Sequence, residues 1–106
     1  MALASLEKEL HKIASDWISR NSNRTSLITI TNLAWSSDEK YVTFCVSVLP
    51  ENQEPAVLDF LTRNKDTIRD YVKKHGKLHH IPFFKFSGDV GEKNRQKVFE
   101  LLAEYI

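Results

Sequence analysis

Three histidines fall within six positions of the stretch KHGKLHHIPFFKF: His75, His79 and His80, followed by Pro82 and three phenylalanines. Imidazole serves as metal ligand and as general acid or base, so both chemistries must be tried on this segment. Histidines that share a zinc ion sit at spacings that bring both rings to one point, such as i and i+4 on a helix. His79 and His80 are neighbours at the start of an extended segment and point to opposite faces. No second cysteine or carboxylate cluster lies nearby to complete a ligand set, so no metal site is expected. Cys45 is the lone thiol. A Cys–His nucleophile needs a histidine and a third orienting group, whereas Cys45 lies mid-strand among apolar neighbours, where a buried, inert thiol is expected. A single cysteine cannot form an internal disulfide, in keeping with a reducing compartment. The chain has no Gly-rich phosphate loop, no GxSxG and no HExxH, and its 3 glycines leave little backbone to wrap a nucleotide. No catalytic machinery is visible.

Charge is more informative. The formal net charge of +1 conceals an uneven distribution. Residues 1–62 are net acidic, whereas residues 63–97 carry 10 basic and 4 acidic side chains. Within that basic segment Lys65, Arg69 and Lys73 recur at i, i+4 and i+8 and form one stripe of a helix. Such a face attracts a polyanion even when the whole molecule is nearly neutral. The helix start near Asn64–Thr67 adds backbone N–H groups that favour a phosphate. Asp66 and Asp70 oppose this, and a salt-bridged, solvated helix is the rival reading. Lys77, His79 and His80 gather where the chain enters the next strand, beside the stripe. Imidazole there can stack on a base or donate to a phosphate, or sit half-buried and satisfied. Phe84 and Phe86 share a strand face and read as core, with an exposed aromatic platform as the alternative.

The elements that must position these residues follow from periodicity. Leu3, Leu6, Leu10, Ile13, Trp17 and Ile18 recur every three or four residues, which predicts an amphipathic helix over about 3–19. RNSNRTS then favours a turn. LITITNLAW and KYVTFCVSVL, separated by SSDE, predict an antiparallel hairpin with Val42, Phe44, Val46 and Val48 on the core face. Pro55 suits the first turn of a helix. From about 55 to 75, Leu58, Leu61, Ile68, Tyr71 and Val72 form a helical stripe, which RNKDT interrupts, so two helices or one kinked helix are expected. Gly76 is expected as a left-handed terminator. A third strand is expected at about 80–86, beginning at Pro82 or turning that edge outward. SGDVG reads as a loop, and Val98, Leu101, Leu102 and Tyr105 predict a final short helix. The order, α-β-β-α-(kink)-α-β-α, is an α+β layer arrangement with helices on one face of a small sheet.

At 106 residues this is expected to be one domain. With 42% hydrophobic and 27% charged residues and no long apolar run, it is expected to be soluble. MALASLEKELHK breaks its apolar positions with charges, unlike a secretory signal.

In order and spacing, LITITNLAWSSDEKYVTFCVSVL, LTRNKDTIRDYVKKH and LHHIPFFKFSGD together resemble the ribosome-binding factor A family over about residues 3–103. The resemblance implies a KH-like type II fold, a three-stranded sheet with helices on one face and an added C-terminal helix. It implies binding to 16S ribosomal RNA in the immature small (30S) ribosomal subunit and a part in its late maturation. No cofactor, membrane or small-molecule substrate is implied, and a cytoplasmic monomer is expected. An ordinary KH module clamps RNA backbone with a GXXG loop between two helices. The family resembled has a kink of small residues there, which aligns with Asn64, Lys65 and Asp66. The characteristic glycine is thus absent, and an aspartate takes its place. The family's aspartate-proline turn after the first helix is replaced by NSNR. On this reading Arg63, Asn64, Lys65, Arg69, Lys73, Lys74, Lys77, His79 and His80 hold rRNA phosphates, positioning the polyanion without reading its sequence. Glutamate at Arg69 and Lys73 is expected to weaken binding and leave the thermal midpoint nearly unchanged. A small protein-binding module, offering a sheet edge or the first helix, is the rival from another class.

Overall fold

The computed structural model describes residues 3–22, 25–76, 78 and 80–89. Helix α1 spans Leu3–Asn21, strand β1 Leu27–Trp35 and strand β2 Tyr41–Leu49. A 3-10 turn at Glu51–Gln53 leads into α2 (Glu54–Arg63), α3 (Lys65–His75) and β3 (Phe83–Gly88). The expected C-terminal helix lies outside the described residues.

The sheet has the order β1-β2-β3, with β1 antiparallel and β3 parallel to β2. A parallel neighbour needs a long crossover, and α2 with α3 supplies it. Strand β1 contains the device that makes its pattern work. Ile28 and Ile30 pair with Val48 and Val46, then the register shifts, so that Leu33 and Trp35 pair with Phe44 and Val42. Strict alternation would turn Leu33 and Trp35 to the opposite face from Ile30. The β-bulge at Thr31 absorbs one residue and returns both to the inner face.

The helices cover that inner face. Leu10, Ala14, Leu61, Ile68 and Val72 are fully buried against Val42, Phe44 and Val46. Phe44 is the centre: Phe84 meets it edge-on at 4.9 Å between ring centroids, and Phe86 stacks on it at 5.3 Å. At the two ends of α1, Trp17 stacks on Phe60 of α2, and Glu7 accepts a 2.9 Å hydrogen bond from Trp35 Nε1. The fold is α+β and KH-like, with the three helices on one face, as the sequence leads one to expect.

Several boundaries differ. Helix α1 runs two residues beyond 19, because the Asn21 side chain donates to Trp17 O and Ser22 N–H to Ile18 O, which satisfies the last carbonyls. The third strand starts after Pro82, at Phe83, and takes in Ser87 and Gly88, expected as loop, because β2 continues to pair with them. Gly76 is not left-handed: its backbone is extended, φ −106° and ψ 152°. Glycine is needed there for space, since a Cβ would lie 2.9 Å from Val72 O and 3.1 Å from Ile13 Cδ1. Cys45 is half-buried rather than buried, because alternation places it on the sheet face away from the helices.

Candidate nucleic-acid interface

The break between α2 and α3 is one residue, Asn64, at φ −102° and ψ 9°. That bridge conformation is open to any L-residue, so the absence of glycine costs no backbone strain. Asn64 closes the end of α2 itself. Its Nδ2 donates to Phe60 O at 2.8 Å, and its N–H is shared between Phe60 O and Leu61 O, both at 3.2 Å. Its own carbonyl accepts the first bond of α3, from Ile68 N–H at 2.9 Å. The side chain is therefore turned back onto the helix, and what the kink offers outward is its backbone and Lys65. Arg63, just before it, forms a 3.0 Å exposed ion pair with Asp59, which partly neutralises it and contributes little to stability.

On helix α3, Lys65 and Arg69 of the basic stripe lie on the flank that meets β3. Lys65 lines a shallow groove with Thr62, Phe84, Lys85 and Phe86. One turn on, Arg69 crosses to the start of β3. Its Nη2 donates to Ile81 O at 2.8 Å and its Nε to Pro82 O at 3.0 Å, while the guanidinium lies 4.7 Å over the Phe83 ring. Two carbonyls that precede the strand thus find their partner in a cation, and Arg69 is a structural clamp as well as a positive charge. Lys73 and Lys74 are exposed in the last turn, where they complement the negative end of the helix dipole. His80 is exposed and lines a hollow with Arg69, Pro82 and Phe83. The structure thus brings Lys65, Arg69 and His80 to one side of the molecule. Lys77 and His79 lie outside the described residues.

Periodicity pointed to Phe84 and Phe86 as core; Phe84 is buried and Phe86 packs half-buried against the buried cluster, while the same alternation sends Phe83 and Lys85 to the outer face, a signal the sequence reading passed over. There Phe83 meets Tyr41 of β2 at 5.5 Å between ring centroids, and Lys85 Nζ lies 4.5 Å over the Tyr41 ring. Arg69, Phe83, Tyr41 and Lys85 form a row in which two touching rings each carry a cation.

The other chemistries find no support among the described residues. No three His, Cys, Asp or Glu gather where they could hold a metal ion. Burial, and then the nearby Asp89 charge, push the Cys45 thiol pKa up, so it stays protonated at neutral pH and is a poor nucleophile. No helix of the described residues is long and apolar enough to cross a membrane.

Comparison with known proteins gives the family and the fold. The family model described as ribosome-binding factor A matches residues 3–102. The ribosome-binding factor A of Fervidobacterium nodosum is 29% identical over 106 residues, covering 94% of this chain and 85% of that protein. That of Brevibacillus brevis is 33% identical over 82 residues, covering 76% of this chain and 68% of its own. Among solved structures, the crystal structure of ribosome-binding factor A from Thermus thermophilus superposes with a TM-score of 0.71 at 19% identity, covering 83% of this chain and 97% of that one. A homology model of the Thermus thermophilus ribosome binding factor A, fitted into a cryo-EM map of a 30S complex, gives 0.66 at 19% identity, covering 78% and 90%. With a match running from the start of α1 almost to the end of the chain, this protein belongs to the ribosome-binding factor A family.

Proposed function

We propose that this chain is a non-enzymatic assembly factor, a single KH-like RNA-binding domain that binds 16S rRNA within the immature small ribosomal subunit and assists its late maturation. On this reading it acts in the cytoplasm, as a monomer and without a cofactor. The observation that carries the proposal is the flank of α3 beside β3, where Lys65 and Arg69 converge on the strand, with Lys73 and Lys74 adding exposed positive charge in the last turn of the helix. Arg63, Asn64, Lys77, His79 and His80 complete the proposed contact. The fit of a family relative into a 30S map supports the choice of subunit. Side chains of this kind hold phosphates and give register on a folded RNA, with little readout of bases.

Ultraviolet cross-linking of the protein to purified immature small subunits tests the assignment. Cross-links between 16S rRNA and peptides spanning residues 63–80 are expected. Cross-links confined to ribosomal proteins, or to peptides of α1 and β1, would instead favour the protein-binding module.

A further inference from the structure

The outer face of the sheet carries two large aromatic rings that the core does not use. Tyr41 is 40% and Phe83 50% exposed, and they sit opposite each other in the β2–β3 register. Each has a cation over one face, but the two cations are held differently. Arg69 is tied to the carbonyls of Ile81 and Pro82, so its place over Phe83 is fixed by the fold. Lys85 reaches Tyr41 from an exposed strand position on a flexible four-carbon stem. An ammonium over an exposed ring is worth a factor of about two to five in an equilibrium. A nucleobase stacked on such a ring is worth a factor of about five to a hundred. Exchange of the first for the second is favourable, and the displaced ammonium can move to the phosphate of the incoming nucleotide.

We infer that Tyr41, backed by Phe83, is a stacking platform for one unpaired base of an RNA strand, with Lys85 as the cation that leaves the ring and takes the adjoining phosphate. Positive charge marks a path for the strand. Lys85 also lines the groove that holds Lys65, so the backbone continues from Tyr41 toward the kink. On the other side, the hollow next to Phe83 has a lining of mixed charge, Asp38 and Glu39 with Lys40, Arg69 and His80, and sets no direction of its own. A single nucleic-acid strand offers both a free π-face for the ring and an adjoining phosphate for the ammonium, and the proposed function makes that strand RNA. The inference deepens the proposed function and rests on it for the identity of the RNA.

The test is binding of the full chain to an oligouridylate of about ten nucleotides, in the size range of such sites, and to its abasic counterpart of equal length and charge. Wild type is expected to hold the uridylate about five-fold to a hundred-fold more tightly than the abasic strand. Tyr41→Ala should lose that margin and bind both strands as wild type binds the abasic one, whereas Tyr41→Phe should keep it. Tyr41 is exposed enough that both variants should fold, which their thermal midpoints check. The inference is overturned if wild type binds neither strand, if it holds both equally, or if Tyr41→Ala retains the margin. Sedimentation of wild type with small subunits separates the two claims. Subunit binding with no uridylate margin defeats the platform alone, and a margin without subunit binding defeats the assembly role alone.

Discussion

Arg69 and Phe83 are joined across the gap between α3 and β3, the guanidinium lying 4.7 Å over the ring while two of its nitrogens hold the carbonyls of Ile81 and Pro82. A residue picked from sequence as a phosphate contact therefore also secures the start of an edge strand. Arg69→Ala should lower unfolding stability by about 1–3 kcal/mol, because it leaves two carbonyls without their charged donor. Arg69→Lys should recover only part, since one ammonium cannot reproduce a two-pronged donor that also stacks. Urea titration measures both. Glutamate at Arg69 is thus expected to disturb the thermal midpoint, contrary to what the helical stripe alone suggests.

The charge test belongs instead to the exposed end of the helix. Lys73→Glu combined with Lys74→Glu removes no hydrogen bond among the described residues. Each reversal should cost about 1 kcal/mol through the helix dipole, while affinity for small subunits falls by far more than so small a loss of stability explains. An unchanged affinity in a sedimentation assay would remove Lys73 and Lys74 from the interface.

Gly76 is a packing requirement. A methyl group there meets the Val72 carbonyl at 2.9 Å and the Ile13 side chain at 3.1 Å, and the first of these is backbone. Gly76→Ala should cost about 1–3 kcal/mol, as overpacking does. If the left-handed conformation were the reason for glycine, asparagine would rescue; with an extended backbone, Gly76→Asn should be at least as damaging as alanine.

Glu39 is the described residue that does adopt a left-handed backbone without being glycine, at φ 60°. The turn around it is held by Asp38, which accepts from Ser36 Oγ at 2.6 Å and from Lys40 N–H at 3.1 Å. Glu39→Gly relieves the steric cost and adds some unfolded-state entropy, for a net gain of up to about 1 kcal/mol. A thermal midpoint raised by a few degrees is expected, and a lowered one would show that the turn depends on the Glu39 side chain.

Acid stability is expected to depend on the contact between α1 and α3. Tyr71 Oη donates to the Asp16 carboxylate, which Arg20 also engages at 3.1 Å. The tyrosine hydrogen bond first, and Arg20 next, hold the Asp16 pKa below its ordinary 3.8. A carboxyl that takes up its proton less readily folded than unfolded stabilises the fold above that ordinary value, and the effect fades as pH falls through the folded pKa. Tyr71→Phe should therefore flatten the acid limb of the stability curve below about pH 5, measured by urea unfolding at several pH values. An acid limb identical to that of wild type would assign it to other carboxylates.

What was legible in the sequence, and what was not, divides along physical lines. The order of elements could be read because the apolar residues repeat with the right periods: Leu10, Ile13 and Trp17 on α1, Val42 to Val48 on β2, Ile68 and Val72 on α3. The break at Asn64 could be read from the polar run RNKDT. The bulge at Thr31 could not, since a register shift becomes visible only when the partner strand is in place. Nor could the clamp formed by Arg69, because its acceptors are backbone carbonyls more than ten residues away, which no side-chain pattern marks. The Tyr41–Phe83 pair lay within reach of strand alternation, had FFKF been split into its two faces. Of the stripe, Lys65 and Lys73 are exposed on α3 while Arg69 is half-buried, and its contact with RNA is a matter for experiment.

Sedimentation of the purified protein with small ribosomal subunits, in low and in raised salt and beside large subunits, bears most directly on the central claim. Binding confined to the small subunit and falling steeply as salt rises is expected, because phosphate contacts release counterions. Binding to small subunits that salt leaves unchanged, or equal binding to both subunits, would contradict a surface built on rRNA phosphates.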